Sequence, residues 1–170
     1  MASEPIRDPK KDQLLTPQNS AFIIIDYQPV QVNSIASMDR QLMVNNIVGA
    51  AKAAVAYGLP IVHSTVNVKT GLNKPPIVRR VLDKFPTYDR TSINSWEDIE
   101  FRKAVEATGR KKLIMTALWT EACLTFPALD ALAAGFEVYV VADAVGGTSV
   151  AAHDMALRRI EQAGGKMISV

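Results

Sequence analysis

Apolar residues gather in three runs, at 21–26 (AFIIID), 112–118 (KLIMTAL) and 136–143 (FEVYVVAD), with weaker ones at 59–65 (LPIVHST) and 165–170 (GKMISV). Polar residues do not alternate through them, so they read as strands buried on both faces, as in a parallel sheet. Between the runs the period changes. Over 39–57, Leu42, Val44, Ile47, Val48, Ala51 and Val55 recur at helical spacing, and YGLP supplies a glycine and a proline to end that helix and open a strand. Similar punctuation returns at ATGRKK, AAGFEV and QAGGKM.

Helix, glycine turn and apolar strand in alternation imply right-handed βαβ crossovers. The expected fold is therefore α/β, three-layered (α/β/α) and Rossmann-like, with a parallel six-stranded sheet. The stretch 66–95, containing KPP and KFPTYDRTSINSW, is the least regular; a short helix and a short strand near 88–91 are expected there.

Composition narrows the class. A chain of 170 residues with 48% hydrophobic and 21% charged residues reads as one domain at 19–170 behind a flexible arm at 1–18. A net charge of +2, dispersed along the chain, gives no reason to expect nucleic acid or an acidic membrane as partner. One cysteine forms no internal disulfide, and no Cys/His cluster has zinc spacing, so a cytoplasmic, metal-free and cofactor-free protein is expected. The opening MASEPIRDPKKDQLLTPQNS holds no apolar run of signal-peptide length, and no later segment reaches that of a membrane span.

In an open parallel sheet, ligands bind beyond the carboxyl ends of the strands, where strand order reverses. If the order is 3-2-1-4-5-6, as expected for this Rossmann-like sheet, strands one and four meet there. The first ends in Asp26, and the fourth leads to Thr120 and Cys123. A carboxylate beside a thiol is what a cysteine nucleophile needs. Thr120 is a candidate N-cap, which would place Cys123 in a first helical turn where free N–H groups favour thiolate. Pro127 removes the hydrogen bond to the Cys123 carbonyl, so a distorted turn is expected. Free cysteine is also a common small core residue, and Asp26 has an alternative role in a turn. Position alone leaves both readings open.

These residues resemble the isochorismatase-like cysteine hydrolases, the group that includes nicotinamidases, and especially their YcaC-type branch. FIIIDYQ looks like the family's first strand, TALWTEACLTFPALDALAAGFEVYVVADA resembles its nucleophile segment, and AAHDMALRRIEQAG its late helix, so that the likeness spans roughly residues 20–170. The resemblance implies Asp26 as general base, Cys123 as nucleophile and Arg90, in place of the usual lysine, as third member of a catalytic triad. Arginine holds its proton, so Arg90 would stabilise negative charge without shuttling a proton. The resemblance further implies a cis peptide at Leu118–Trp119, an oxyanion hole from the Trp119 and Cys123 N–H groups, and a pocket near Asn94, Trp96 and Trp119. The zinc site of nicotinamidases needs an aspartate and histidines near the second strand; His63 lacks those partners, and His63 and His153 read as structural. The chain stops at its sixth strand, where relatives continue.

The expected activity is hydrolysis of a small amide-type C–N bond through a Cys123 acyl-enzyme, in a homo-oligomer. Two rivals stand beside it: a non-hydrolytic relative that binds a metabolite or partner in the same pocket, and a thiol redox sensor, since a thiol of low pKa oxidises readily.

Overall fold

The computed structural model describes residues 7–170. The expected arm at 1–18 thus begins outside the described residues. Within them, Lys112 reaches back to the arm, its Nζ donating to the carbonyls of Asp12, Gln13 and Leu14 at 2.6, 2.7 and 3.1 Å.

Six strands form one parallel sheet: β1 (Ser20–Ile25), β2 (Ile61–Val66), β3 (Thr87–Arg90), β4 (Lys112–Ala117), β5 (Glu137–Val141) and β6 (Lys166–Ile168). Their order is β3-β2-β1-β4-β5-β6, the topology expected from the sequence. Residue alternation along the central strands divides the interior into two cores. Ala21, Ile23 and Ile25 of β1, with Leu113, Met115 and Ala117 of β4, face one side; Phe22, Ile24 and Ile114 face the other. Helices complete both layers.

On one face, α1 (Pro29–Asn33) and α2 (Arg40–Ala56) bury Val32, Met43, Ile47, Ala51 and Ala54. On the other lie α3 (Ile99–Ala107), α4 (Thr125–Ala133) and α5 (Val150–Gln162), contributing Phe101, Val105, Ala128, Ala131 and Ile160. Side-chain caps begin three of them: Asp39, Asp98 and Ser149 accept from the N–H groups of Leu42, Phe101 and Ala152, at 2.7, 2.8 and 3.1 Å. Gly135, with φ 86°, reverses the chain from α4 into β5 in a conformation that a side chain would strain.

The β2–β3 crossover differs from expectation. No α-helix forms at 67–86; the chain descends through turns that press Val78 and Leu82 into the core. Pro75, Pro76 and Pro86 lack the N–H that helical hydrogen bonding needs. A short 3-10 turn appears later, at Ser95–Glu97. Among the described residues no helix is long and apolar enough to cross a membrane.

Candidate functional site

β1 and β4 are neighbours, with Ile25 paired to Ala117 at their carboxyl ends. The chain leaves β1 through Asp26, which has φ 61°, a left-handed conformation uncommon for residues other than glycine. Local bonds hold it there. Its N–H donates to the Ser64 carbonyl at 3.0 Å and its own carbonyl accepts from Gln28 N–H at 2.8 Å. Gln28 is fully buried and ties the next strand in: Oε1 accepts from Val66 N–H, and Nε2 donates to the Val66 and Lys74 carbonyls.

Arg90 ends β3 and reaches Asp26 from two strands away. Nη1 and Nη2 donate to Oδ1 and Oδ2, each at 2.7 Å, a parallel two-point contact between side chains 1% and 0% exposed. Nη1 also meets Ser64 Oγ at 3.0 Å and the Thr65 carbonyl at 3.2 Å, while Nη2 donates to the Ile93 carbonyl at 2.8 Å. A lysine has three donors for these five contacts and lacks the planar fork.

Beyond β4, the Leu118–Trp119 peptide is cis. The turn that follows, Thr120–Leu124, is wide and π-type, with Leu124 N–H donating to the Trp119 carbonyl five residues back at 3.1 Å. This corrects one expectation. Trp119, not Thr120, occupies the N-cap position, and Thr120 Oγ1 lies 2.8 Å from His153 Nδ1 instead. The distortion expected near Pro127 is present as this widened turn, continuous with α4.

Cys123 sits in that turn, 6% exposed, where it shares a core with Trp96 and Leu124. The direction of its titration runs against the expectation of a readily ionised thiol. Burial, then the charge of Asp26 and a hydrogen bond with it, push the Cys123 pKa up to about 12; the charge of Arg90 and the Trp119 backbone N–H act the other way without prevailing. Burial likewise pushes the Asp26 carboxyl up, against the hydrogen bonds and charge of Arg90. Burial also opposes charge on Arg90, but Asp26 more than offsets this and holds the guanidinium above its usual range. Burial and Asp26 together thus favour the protonated form of the Cys123 thiol.

The other expected site residues fall nearby in different roles. Asn94 Oδ1 caps Trp96 N–H at 3.0 Å, and Nδ2 donates to Asp130 of α4 at 2.7 Å, so Asn94 braces the helix that follows Cys123. Trp96 is packed edge-on against Phe136, ring centres 5.7 Å apart, and is 8% exposed. Trp119 is half-buried, with Nε1 donating to Ser34 Oγ at 2.7 Å. Ser64, Thr65 and Gln28 escaped the sequence reading. The available signal was a polar pair, Ser64 and Thr65, inside the apolar run IVHSTV, and a glutamine two residues after Asp26.

No group of three His, Cys, Asp or Glu side chains among the described residues is placed to hold a metal ion. His63 Nδ1 lies 3.4 Å from Thr87 Oγ1.

Comparison with known proteins identifies the family. The isochorismatase domain model matches residues 20–170. The probable hydrolase YcaC of Escherichia coli K12 is 32% identical over 159 residues, covering 91% of this chain and 76% of that protein. The structure of YcaC from Pseudomonas aeruginosa with hexane-2,5-diol and covalent acrylamide superimposes with a TM-score of 0.88 at 31% identity, covering 92% of this chain and 79% of the other. The E. coli YcaC crystal structure, described as an octameric hydrolase of unknown specificity, gives 0.87 at 30% identity, with 99% and 80% covered. A sheet of this order, a family match across nearly the whole chain and two closely superimposable relatives lead to one assignment: the protein belongs to the isochorismatase family.

Proposed function

We propose that the protein is a cofactor-free cysteine hydrolase that cleaves a small amide-type C–N bond through a Cys123 acyl-enzyme. The observation that carries this reading is the buried two-point Asp26–Arg90 pair, whose charges bear on the Cys123 thiol. A thiol with a pKa near 12 does not attack as a preformed thiolate. Its proton must leave as the new bond forms, and Asp26 is the base at hand.

In this mechanism Cys123 Sγ bonds to the substrate carbonyl carbon while its proton passes to Asp26. Backbone N–H groups of Trp119 and Cys123 hold the oxyanion, and Arg90 orients Asp26 and balances its charge. Collapse releases the amine, which takes the proton from Asp26. A water molecule, deprotonated by Asp26, then attacks the thioester and frees the acid and the thiol. The near-closed surroundings of Cys123 favour a small substrate, with Trp119 beside the turn as part of its apolar wall. The covalent acrylamide in the P. aeruginosa relative, an electrophile that thiols attack, supports a reactive nucleophile in this fold.

A cytoplasmic setting would keep the lone thiol reduced. The octameric E. coli relative, with Leu72, Ile77 and Ile93 exposed in this chain, supports a homo-oligomer. The high thiol pKa weighs against the redox-sensor reading, because oxidation follows thiolate character. The test is a panel of small aliphatic and aromatic amides assayed for ammonia or amine release. Turnover by the native protein and its loss in Cys123→Ala are expected; binding without turnover in either protein would favour a non-hydrolytic relative.

A further inference from the structure

The first residues of β4, β5 and β6 are Lys112, Glu137 and Lys166. Together with the arm at 10–14 they line a cavity of about 820 Å³ that holds six cations, Lys10, Lys11, Arg110, Lys111, Lys112 and Lys166, against two carboxylates, Asp12 and Glu137. This excess of four positive charges is larger than the net charge of +2 on the whole chain, so the remainder of the chain is net negative. Positive charge is gathered here, not spread.

Both carboxylates are already engaged. Glu137 accepts from Lys166 Nζ at 2.9 Å and from Tyr139 Oη at 3.1 Å, and Asp12 accepts from Arg7 Nη1 at 3.3 Å and from Leu14 N–H at 3.0 Å. The deepest cation has no counter-charge among the described residues: Lys112 is 6% exposed, and its Nζ donates to three neutral carbonyls of the arm. A buried charge is screened far less than one in water, so its field reaches the cavity. The Arg110 guanidinium adds to it, meeting among the described residues only the Pro17 carbonyl, at 3.4 Å. Asn19 Nδ2 holds the arm's wall in place by donating to the Asp12 and Leu14 carbonyls at 3.1 and 2.9 Å. The lining offers little to an apolar ligand body. Leu14 is its one aliphatic side chain, and its one aromatic ring, Tyr139, is covered by Lys166 Nζ 4.6 Å from the ring centre.

We propose that this cavity is a second binding site, for a compact oligophosphate. The exposed ammonium groups of Lys10, Lys11 and Lys111 donate to phosphoryl oxygens, while Lys112 and Arg110 supply positive potential from behind. The site lies at the amino end of β4, whereas Cys123 lies beyond its carboxyl end, about 20 Å of strand away. It does not depend on the hydrolytic reading, so either can fail alone.

Equilibrium dialysis of the full chain against inorganic tripolyphosphate tests this. Saturable binding of one tripolyphosphate per chain is expected, at least about tenfold tighter than orthophosphate, because several charge-assisted contacts form at once. Affinity should fall at least about tenfold in a Lys10→Gln/Lys11→Gln/Lys111→Gln variant, shown to be folded by circular dichroism. A Lys52→Gln/Lys84→Gln/Arg158→Gln variant loses the same charge at exposed positions outside the cavity and should bind as the native chain does. Absence of saturable binding, orthophosphate bound as tightly as tripolyphosphate, or equal losses in the two variants would overturn the proposal.

Discussion

Replacing Asp26 by asparagine should make Cys123 easier to alkylate while removing hydrolytic turnover. In the native site, burial and then Asp26 raise the thiol pKa to about 12, with Arg90 opposing. Asparagine keeps the shape and the burial but deletes the negative charge, leaving Arg90 uncompensated beside the sulfur. A charge at this range is worth about 1–3 pKa units, so the thiol pKa should drop to about 9–11. Each unit of fall gives tenfold more thiolate and a thiolate about threefold less nucleophilic, a net gain of about threefold in rate per unit at pH 8. Iodoacetamide should thus modify the variant about 3–40 times faster at pH 8. Because Cys123 is the only cysteine, intact-mass spectrometry reads it without interference. The variant should lose stability by up to about 3–5 kcal/mol, since a buried guanidinium loses its counter-charge, and circular dichroism establishes that it remains folded under assay. An alkylation pKa that stays near 12 or rises in the folded variant would refute the electrostatic reasoning.

Three further outcomes follow from the same contacts. Arg90→Lys, which cannot reproduce the two-point contact or all five hydrogen bonds, should lower stability by about 1–3 kcal/mol in urea unfolding; an unchanged midpoint would contradict the assigned geometry. His63 is pushed down to about 4 by burial, against about 6.5 when unfolded, so the unfolded chain binds the extra proton first as pH falls. Its stabilising contribution is full above about pH 6.5 and is lost as pH drops towards 4; between pH 7 and 4.5 the native protein should lose about 2 kcal/mol more than His63→Gln, and equal losses in denaturant titrations would count against it. Lys112→Met removes the donor that ties Asp12, Gln13 and Leu14 to β4, so limited proteolysis at 10–16 should accelerate, and an unchanged cleavage rate would show that the arm is held by other contacts.

Most of the architecture was legible because buried parallel strands are long apolar runs and their connecting helices end in glycine. Asp26 and Cys123 were legible for a topological reason: a strand order with a reversal puts the ends of β1 and β4 together. The partnership of Arg90 with Asp26 was not derivable from local pattern, since it spans 64 positions and β3 is only four residues long; the family resemblance supplied it. Two physical effects escaped. The first-turn argument for Cys123 counted nearby N–H groups and omitted desolvation, which dominates once the sulfur is buried. Thr120 has the chemistry of an N-cap, but the hydroxyl is drawn to His153, a contact 33 residues away.

The central claim is that Cys123 carries the acyl group. Rapid-quench intact-mass spectrometry of the native protein, with the best amide found in the panel, tests it most directly. The account predicts an adduct of the acyl mass on the peptide containing Cys123, formed and lost at rates that bracket turnover, and absent in Cys123→Ala. Turnover that continues in Cys123→Ala, or an acyl adduct on any other residue, would contradict it.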